Sequence, residues 1–278
     1  MHNLFLSFML IIGYQNPIDD PEIKNLVWNR YVTTNFTILS IDNDQGYWMK
    51  NNLESIKFWC LNRWGLPDVK FSKECRVFCV PNSGLLKKLF NLDSSKMEIR
   101  KKDGLLEITA MWLSLDDKPA KLIPTQLTEI VMSEFEEVNK FKFPFWAKKG
   151  MTALNGIIPD IKNDLSILKD AKLFGVESIL NFSGDQFAKL SVERQRIFIN
   201  QSECLCLLLR KEFGEVKFHS FMKTSFQTGS EDAVKKVLGF KNMDDFEKTY
   251  ARYVNGISKD VSEKNTPDSY LQIKKVEK

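Results

Sequence analysis

The sequence predicts an α+β fold, in which a small mixed sheet packs beside a mostly helical second half. Segments rich in β-branched and aromatic residues are confined to the first 115 residues, whereas apolar residues recur at helical spacing from residue 123 onward. The chain has 278 residues, of which 43% are hydrophobic and 27% charged. This composition is typical of a globular protein that is long enough to bury a large core.

The first half combines strands with helices. Three strands are predicted, at Tyr31–Ile41, Arg76–Val80 and Leu105–Leu115, which fits a sheet of about three to five strands. Apolar residues at intervals of three or four predict helices at Gly46–Trp64, Ser83–Phe90, Ile123–Val138 and Phe143–Leu154. The sequence Gly65-Leu66-Pro67 ends the first of these helices.

The second half is predicted to contain helices only. They lie at Ser191–Phe213, Val216–Phe226, Glu231–Leu238 and Met243–Ile257, with one or two short helices within Asp160–Phe174. The elements divide the chain into an apolar N-terminal segment with a spacer (1–21), an N-terminal subdomain (22–155), a helical C-terminal subdomain (156–257) and a flexible polar tail (258–278).

The N-terminal segment Leu4–Tyr14 is uncharged, apolar and short for a membrane span. It resembles the core of a signal peptide, but no Lys or Arg precedes it and no small-x-small cleavage site follows. A signal peptide, a membrane anchor and a buried element all stay open. Two locations are therefore both compatible with the sequence. The protein is either exported or envelope-associated, or it is part of an intracellular or virion-like assembly.

Charge and histidine content limit the chemistry. The formal net charge is +4 and lysines alternate with acidic residues, so no nucleic-acid partner is expected. The chain has only two histidines, His2 and His219. A histidine-rich metal centre is therefore excluded within one chain, and a catalytic triad would need His219. The prediction for His219 is a hydrogen-bonded structural role.

The cysteines and the acidic cluster are predicted to be structural. Five cysteines, an odd number, do not indicate a disulfide framework, and without a C-x-x-C pair they are expected to be buried thiols. The tryptophans of Gly46–Trp64 have the spacing of a core stripe. Three acidic residues that end the helix Ile123–Val138 are expected to form a solvated face: Glu134, Glu136 and Glu137.

The helix Ile123–Val138 carries the candidate site. One buried stripe is expected from four apolar residues at helical spacing: Ile123, Leu127, Ile130 and Val131. Thr125 and Glu129 are four residues apart and share a different face, with Gln126 beside them. Pro124 suits the first turn of a helix.

The order of the segments resembles a known family. NFTILSI, NNLESIKFWCLNRWGLP, CRVFCVP and LLEITAMWLSL precede LIPTQLTEIVMSEF and PFWAKKGMTAL, and the chain continues with FGEVKFHSFM and EDAVKKVLGFKNMDDFEKTYARYV. In this order they resemble the gluzincin-type zinc peptidases of the peptidase MA-like family, over roughly Tyr31–Val254. The resemblance implies a zincin-like fold with a zincin-like subdomain at 22–155. It also implies a substrate cleft, with the strand before the zinc helix at its edge.

The resemblance implies that the zinc chemistry is lost. The family's zinc helix reads H-E-x-x-H, and the corresponding segment here is TQLTE, residues 125–129. Thr125 and Glu129 stand at the two histidine ligands, Gln126 at the glutamate base, and Lys149 at the third ligand. All four positions are changed, so neither a metal, another cofactor nor a catalytic residue is expected. The former cleft would surround these four positions together with Trp112 and Leu113.

Lys149 and Glu129 are expected to form an ion pair, because these positions converge in a zincin. The pair would hold two helices together where the family binds zinc. In the alternative, both side chains point to solvent.

The first functional hypothesis is a non-catalytic pseudopeptidase that binds protein partners or forms a structural part of an assembly. The second is an enzyme, either a metal-dependent peptidase that uses atypical ligands such as Glu129 with Glu134, or an unrelated hydrolase. The third is an envelope-anchored protein, with membrane association through Leu4–Tyr14.

Overall fold

A five-stranded mixed sheet forms one layer of the fold. In the computed structural model, which describes residues 25–103, 105–117, 119–155, 167–168 and 171–260, the strand order is β1-β2-β3-β5-β4. The strands are β1 Asn29–Val32, β2 Phe36–Ser40, β3 Cys75–Val80, β4 Lys96–Lys102 and β5 Leu105–Ser114. The inner pairs β2–β3 and β3–β5 are parallel, and the outer pairs are antiparallel. The predicted mixed α+β class is confirmed.

The predicted strand Tyr31–Ile41 is two strands joined by a tight turn. Glu54 holds this turn, because its carboxylate accepts hydrogen bonds from the Asn35 amide nitrogen at 2.8 Å and from the Thr33 hydroxyl at 2.7 Å. Three polar residues in a row, Thr33 to Asn35, mark the break between the two strands in the sequence.

Strand β4 was not predicted, because its sequence KMEIRKK contains only two apolar residues. Those two, Met97 and Ile99, alternate and pack toward the main core. Because β5 lies between β3 and β4, the strand that precedes helix Pro119–Asn139 is an inner strand of the sheet. The edge strand on this side is β4.

Four helices pack against the sheet or beside it. They are α1 Asn43–Asn62, α2 Ser83–Phe90, α3 Pro119–Asn139 and α4 Phe145–Asn155, with a short 3-10 turn at Leu115–Asp117 before α3. Side chains cap two of them, because Asp42 accepts from the Gln45 backbone N–H at 2.8 Å and Asn82 from that of Leu85 at 2.8 Å. Helix α3 begins earlier than predicted, so that Pro124 lies inside it.

The second half is helical, as predicted. It contains α5 Val176–Leu180, α6 Gly184–Ala188, α7 Val192–Thr228, α8 Ser230–Ala233, a π-helix at Val234–Leu238 and α9 Met243–Asp260. The two helices predicted on either side of Gly214 form the single element α7, in which Gly214 is non-helical with φ of 81°. Because α9 continues to Asp260, the predicted tail cannot begin at residue 258.

The two faces of the sheet are covered by different elements. Val77 and Leu113 belong to the main core with α1 and α3, whereas Phe78 and Trp112 belong to a smaller apolar cluster with α2. The main core continues through α4 and α7 to Val254. One apolar core therefore joins the predicted N-terminal and C-terminal subdomains.

Helices α4 and α7 cross closely at Gly150. A Cβ atom at this position would lie 2.7 Å from Cys206 Sγ and would also overlap the Ser202 carbonyl oxygen. The cysteines are free and buried, as predicted: Cys60, Cys75, Cys79, Cys204 and Cys206.

Some predictions lie outside the described residues. They are the segment Leu4–Tyr14 with its spacer, most of the helices within Asp160–Phe174, and the tail from residue 261 onward. Among the helices of the described part, none is long and apolar enough to cross a membrane.

Candidate functional site

The candidate site lies where helix α3 meets helix α4. The apolar stripe of α3 is buried as predicted, with exposures of 0–1% at Ile123, Leu127, Ile130 and Val131. On the adjoining face Thr125, Gln126 and Glu129 are each half-buried, and Lys149 of α4 is half-buried too. The burial of one stripe fixes the rotation of α3, and this rotation leaves Thr125, Gln126 and Glu129 partly accessible.

The predicted ion pair is present. Lys149 Nζ donates to Glu129 Oε1 at 3.3 Å, and the side chains are 28% and 31% exposed. The ammonium also lies 5.7 Å from the ring centroid of Phe145 and 5.8 Å from that of Phe187. The alternative, in which both side chains point separately to solvent, is wrong. The contact links α3 to α4, and the two rings add a cation–π environment.

Gln126 stands beside this pair with a neutral amide. Its Oε1 atom is buried and has no hydrogen-bond partner among the described residues. An amide oxygen accepts hydrogen bonds but does not take a proton from water near neutral pH. Gln126 can therefore orient a donor and cannot serve as a general base.

Trp112 does not share a face with the ion pair. It lies in the smaller cluster on the α2 side of the sheet, where its ring stacks on Phe78 with centroids 5.9 Å apart. Leu113 points to the α3 side but is fully buried in the main core. The prediction that Trp112 and Leu113 line an open cleft is therefore corrected, because successive residues of a strand face opposite sides and neither is accessible.

Of the three acidic residues at the end of α3, Glu134 and Glu136 are buried, whereas Glu137 is half-buried and pairs with Lys140 at 3.5 Å. Glu134 is fully buried, and its Oε2 atom accepts from the Ser72 backbone N–H and hydroxyl, both at 2.8 Å. Burial raises the pKa of Glu134 above its ordinary value. The prediction of a solvated face failed because the loop around Ser72 covers this part of α3, and this contact spans 62 residues of sequence.

Glu136 is buried with partners that neutralise it. Its carboxylate accepts from the Phe143 backbone N–H at 2.8 Å and from Lys148 Nζ at 2.8 Å, and Lys101 Nζ lies 3.7 Å away. Lys101 belongs to β4, the strand that was not predicted. Glu136 therefore ties β4, α3 and α4 together.

The pair Glu129 and Glu134 is a poor choice for atypical metal ligands. Residues five apart on a helix point about 140° away from each other, and Glu134 is already engaged with Ser72. In the part of the chain that the structure describes, no group of three or more His, Cys, Asp or Glu side chains could hold a metal ion.

A buried polar network behind the site was missed by sequence reasoning. Asn155, the last residue of α4, donates to the Thr128 hydroxyl at 2.9 Å and accepts from Trp64 Nε1 at 3.1 Å. Thr128 in turn donates to the Pro124 carbonyl at 2.6 Å. The network connects α3 and α4 to the segment at the end of α1. Because Asn155 is 91 residues from Trp64, no local sequence pattern predicts this network.

Glu203 is a second buried carboxyl. It lies in α7 and is 3% exposed, and its Oε1 atom has no hydrogen-bond partner among the described residues. Burial raises the pKa of Glu203 to about 7, while the positive charge of Arg63 opposes this shift. Glu203 therefore changes charge near neutral pH.

His219 has the structural role that was predicted. Its Nε2–H donates to the backbone carbonyl of Trp64. A carbonyl can only accept, so Nε2 carries the proton. The bond joins α7, beyond its kink at Gly214, to the end of α1.

No family model matches the sequence, and no curated protein matches it. A fold by itself does not give a function, because function depends on the side chains of a site. We therefore infer the function from the chemistry available to Glu129, Lys149 and Gln126.

Proposed function

We propose that this protein is a non-catalytic pseudopeptidase with a gluzincin-like scaffold, acting as a protein-binding or structural component of a larger assembly. The observation that supports it is the Lys149–Glu129 ion pair, at two positions where the resemblance places zinc ligands. The ammonium supplies a fixed positive charge to the carboxylate, which is the electrostatic role that a metal cation would otherwise have.

The remaining side chains do not favour metal chemistry. A divalent cation bound at Glu129 would have to displace Lys149, whose Nζ is 3.3 Å from the carboxylate. Thr125 and Gln126 offer neutral oxygens, which are weak zinc ligands compared with imidazole, thiolate and carboxylate. Gln126 also lacks the proton-accepting group that activates water in a zinc peptidase.

The site retains features that suit binding. A half-exposed ion pair lies beside Phe145 and Phe187, which are both half-buried. Charged groups next to aromatic rings are common at protein interfaces. These side chains can contact a partner without any chemical step.

The experiment is a reconstitution of the zinc site in the full chain. We expect purified wild-type protein to contain no stoichiometric zinc by mass spectrometry of metals, and to show no zinc binding by calorimetry. The quadruple variant Thr125→His, Gln126→Glu, Glu129→His, Lys149→Glu should bind one zinc per chain. The triple variant that keeps Lys149 is the matched control and should bind zinc more weakly, because the lysine repels the cation.

Two outcomes would contradict the proposal. Stoichiometric zinc in the wild type that disappears in Glu129→Ala would favour the metal-dependent hydrolase. A folded quadruple variant with no gain in zinc affinity over the triple variant would mean that the four positions do not converge as in a zincin.

A further inference from the structure

Strand β5 is paired unequally on its two sides. Its register with β4 runs from Leu105 to Trp112, whereas its register with β3 begins only at Ala110. In the described part of the chain, residues 105–109 therefore have no strand partner on the β3 side. An open strand edge presents unpaired backbone N–H and C=O groups, with which another chain can pair.

The contact between β2 and β3 shows which backbone groups of β3 point toward β5. The Cys75 N–H donates to the carbonyl of Asn35, the residue before β2, at 2.8 Å. The backbone groups of successive strand residues point to opposite sides, so those of Arg76 point toward β5.

The same alternation identifies the open groups of β5. In a parallel ladder each residue bonds to the neighbours of its register partner, and Arg76 pairs with Ala110. Arg76 therefore bonds to β5 at Thr109. Two and four residues before Thr109, the backbone N–H and C=O groups of Glu107 and Leu105 face the same side, where β3 is absent.

A cleft of about 300 Å³ lies where a longer β3 would pair with β5. Six residues line it: Lys73, Glu74, Arg76, Glu107, Ile108 and Thr109. Its volume is at the lower end of the range for ligand-binding pockets. The chain before β3 does not extend the ladder. Instead, Ser72 donates its backbone N–H and its hydroxyl to Glu134 of α3, each at 2.8 Å.

The charged groups of the cleft balance one another. Two of the lining residues are basic and two are acidic, and Glu74 also accepts a hydrogen bond from the Thr37 hydroxyl at 2.6 Å. Arg100 and Glu98, which lie beside Arg76 on the α2 side, pair with each other at 2.6 Å. The cleft therefore has no excess charge that would attract a strongly acidic or basic ligand.

The unmatched groups of the cleft belong to the main chain. Those of Leu105 and Glu107 are about 7 Å apart, because alternate residues of a strand point the same way. A second extended chain presents its own N–H and C=O groups at the same interval. This repeat favours an extended peptide over a small molecule as the ligand.

We propose that the cleft binds an extended peptide segment of a partner protein, which joins the sheet as a strand beside residues 105–109. Its main chain would pair with Leu105 and Glu107 and continue the line of β3. Side chains add contacts on both faces of the sheet, because Leu105 is 57% exposed and Ile108 is half-buried. The contact is short, and the charges balance. We therefore expect a micromolar or weaker Kd that changes little with salt.

Selection from a library of random octapeptides displayed on phage, against the immobilised full chain, tests the proposal. The most enriched peptide is then synthesised, and its backbone amides are N-methylated one at a time, which removes one donor and leaves the side chains unchanged. Methylation at alternate positions should weaken binding by about tenfold, and methylation between them should have little effect. A period of two is the signature of strand pairing, and this measurement uses the wild-type protein throughout.

A pair of variants separates the main chain of Glu107 from its side chain. Glu107→Pro removes the N–H on the open side, where the described residues offer it no strand partner, so β5 should keep its pairing with β4. This variant should weaken peptide binding by about tenfold. The matched control Glu107→Ala keeps the N–H and should bind within about twofold of the wild type. Thermal unfolding checks that both variants are folded.

Hydrogen exchange of the complex locates the peptide. Binding should slow exchange at the Leu105 and Glu107 amides and leave the amides around Glu129 and Lys149 unchanged. A library without a binding peptide, an N-methyl scan without a period of two, or equal losses in Glu107→Pro and Glu107→Ala would overturn the proposal. Protection around Glu129 and Lys149 instead would contradict the cleft and support the proposed function, which rests on that separate surface between α3 and α4.

Discussion

Lys149 and Glu129 form an ion pair at 3.3 Å across two helices, with side chains 28% and 31% exposed. The pair is neither a surface contact nor a buried one. Water still reaches both groups, so the Coulombic attraction is screened and its net worth is small. Its position matters more than its strength, because it sets the charge of the candidate site at zero.

The first prediction concerns the energy of this pair. In a double-mutant cycle with Lys149→Met and Glu129→Gln, the coupling free energy should be about 0.2–1 kcal/mol. Lys149→Met should cost more than Glu129→Gln, because Lys149 also faces the rings of Phe145 and Phe187. Urea denaturation measures all four proteins. A coupling of several kcal/mol would mean that the pair is desolvated, contrary to the exposures.

The second prediction concerns the crossing of α4 and α7. Gly150→Ala should destabilise the protein by about 1–3 kcal/mol or more, because the new methyl group would overlap Cys206 Sγ and the backbone of Ser202. Gly256→Ala is the control, since Gly256 lies in α9 with no heavy atom within 4 Å of the added Cβ. It should stabilise by about 0.5–1 kcal/mol through helix propensity. Equal effects of the two substitutions in urea would contradict the close crossing.

The third prediction concerns pH. The pKa of Glu203 is raised to about 7 in the folded protein from an ordinary value of 4.5. The folded state then holds a proton that the unfolded state has lost, so the stability from Glu203 falls as pH rises from about 4.5 to about 7, by up to about 3 kcal/mol.

Glu203→Gln isolates this contribution. The free energy of unfolding of the variant should rise relative to that of the wild type across this pH range and stay level above it. Denaturant titrations at several pH values measure the difference, in which other titrating groups such as Glu134 cancel. A constant difference from pH 4.5 to pH 8 would show that Glu203 does not titrate as its burial implies.

Local sequence patterns predicted the structure correctly where the residues of a single segment determine it. The stripe of α3 is buried at all four predicted positions, and α2 has the predicted bounds Ser83–Phe90. Patterns failed at β4, whose lysines and arginine suppress the strand signal because it is an edge strand with one side toward water. They also failed at Glu134. A carboxylate at the end of a helix is predicted to be solvated, and only the structure shows the loop around Ser72 that covers it.

The sequence by itself determined the α+β order of elements and the identity of the side chains at 125, 126, 129 and 149. It thereby determined which chemistry these positions can offer. Only the tertiary structure decided that Lys149 reaches Glu129 and that the Trp112 side chain lies on the α2 side of the sheet. The physical reason is that periodicity along a chain reports which side of an element is apolar. Burial, pairing and desolvation depend instead on residues that are distant in sequence.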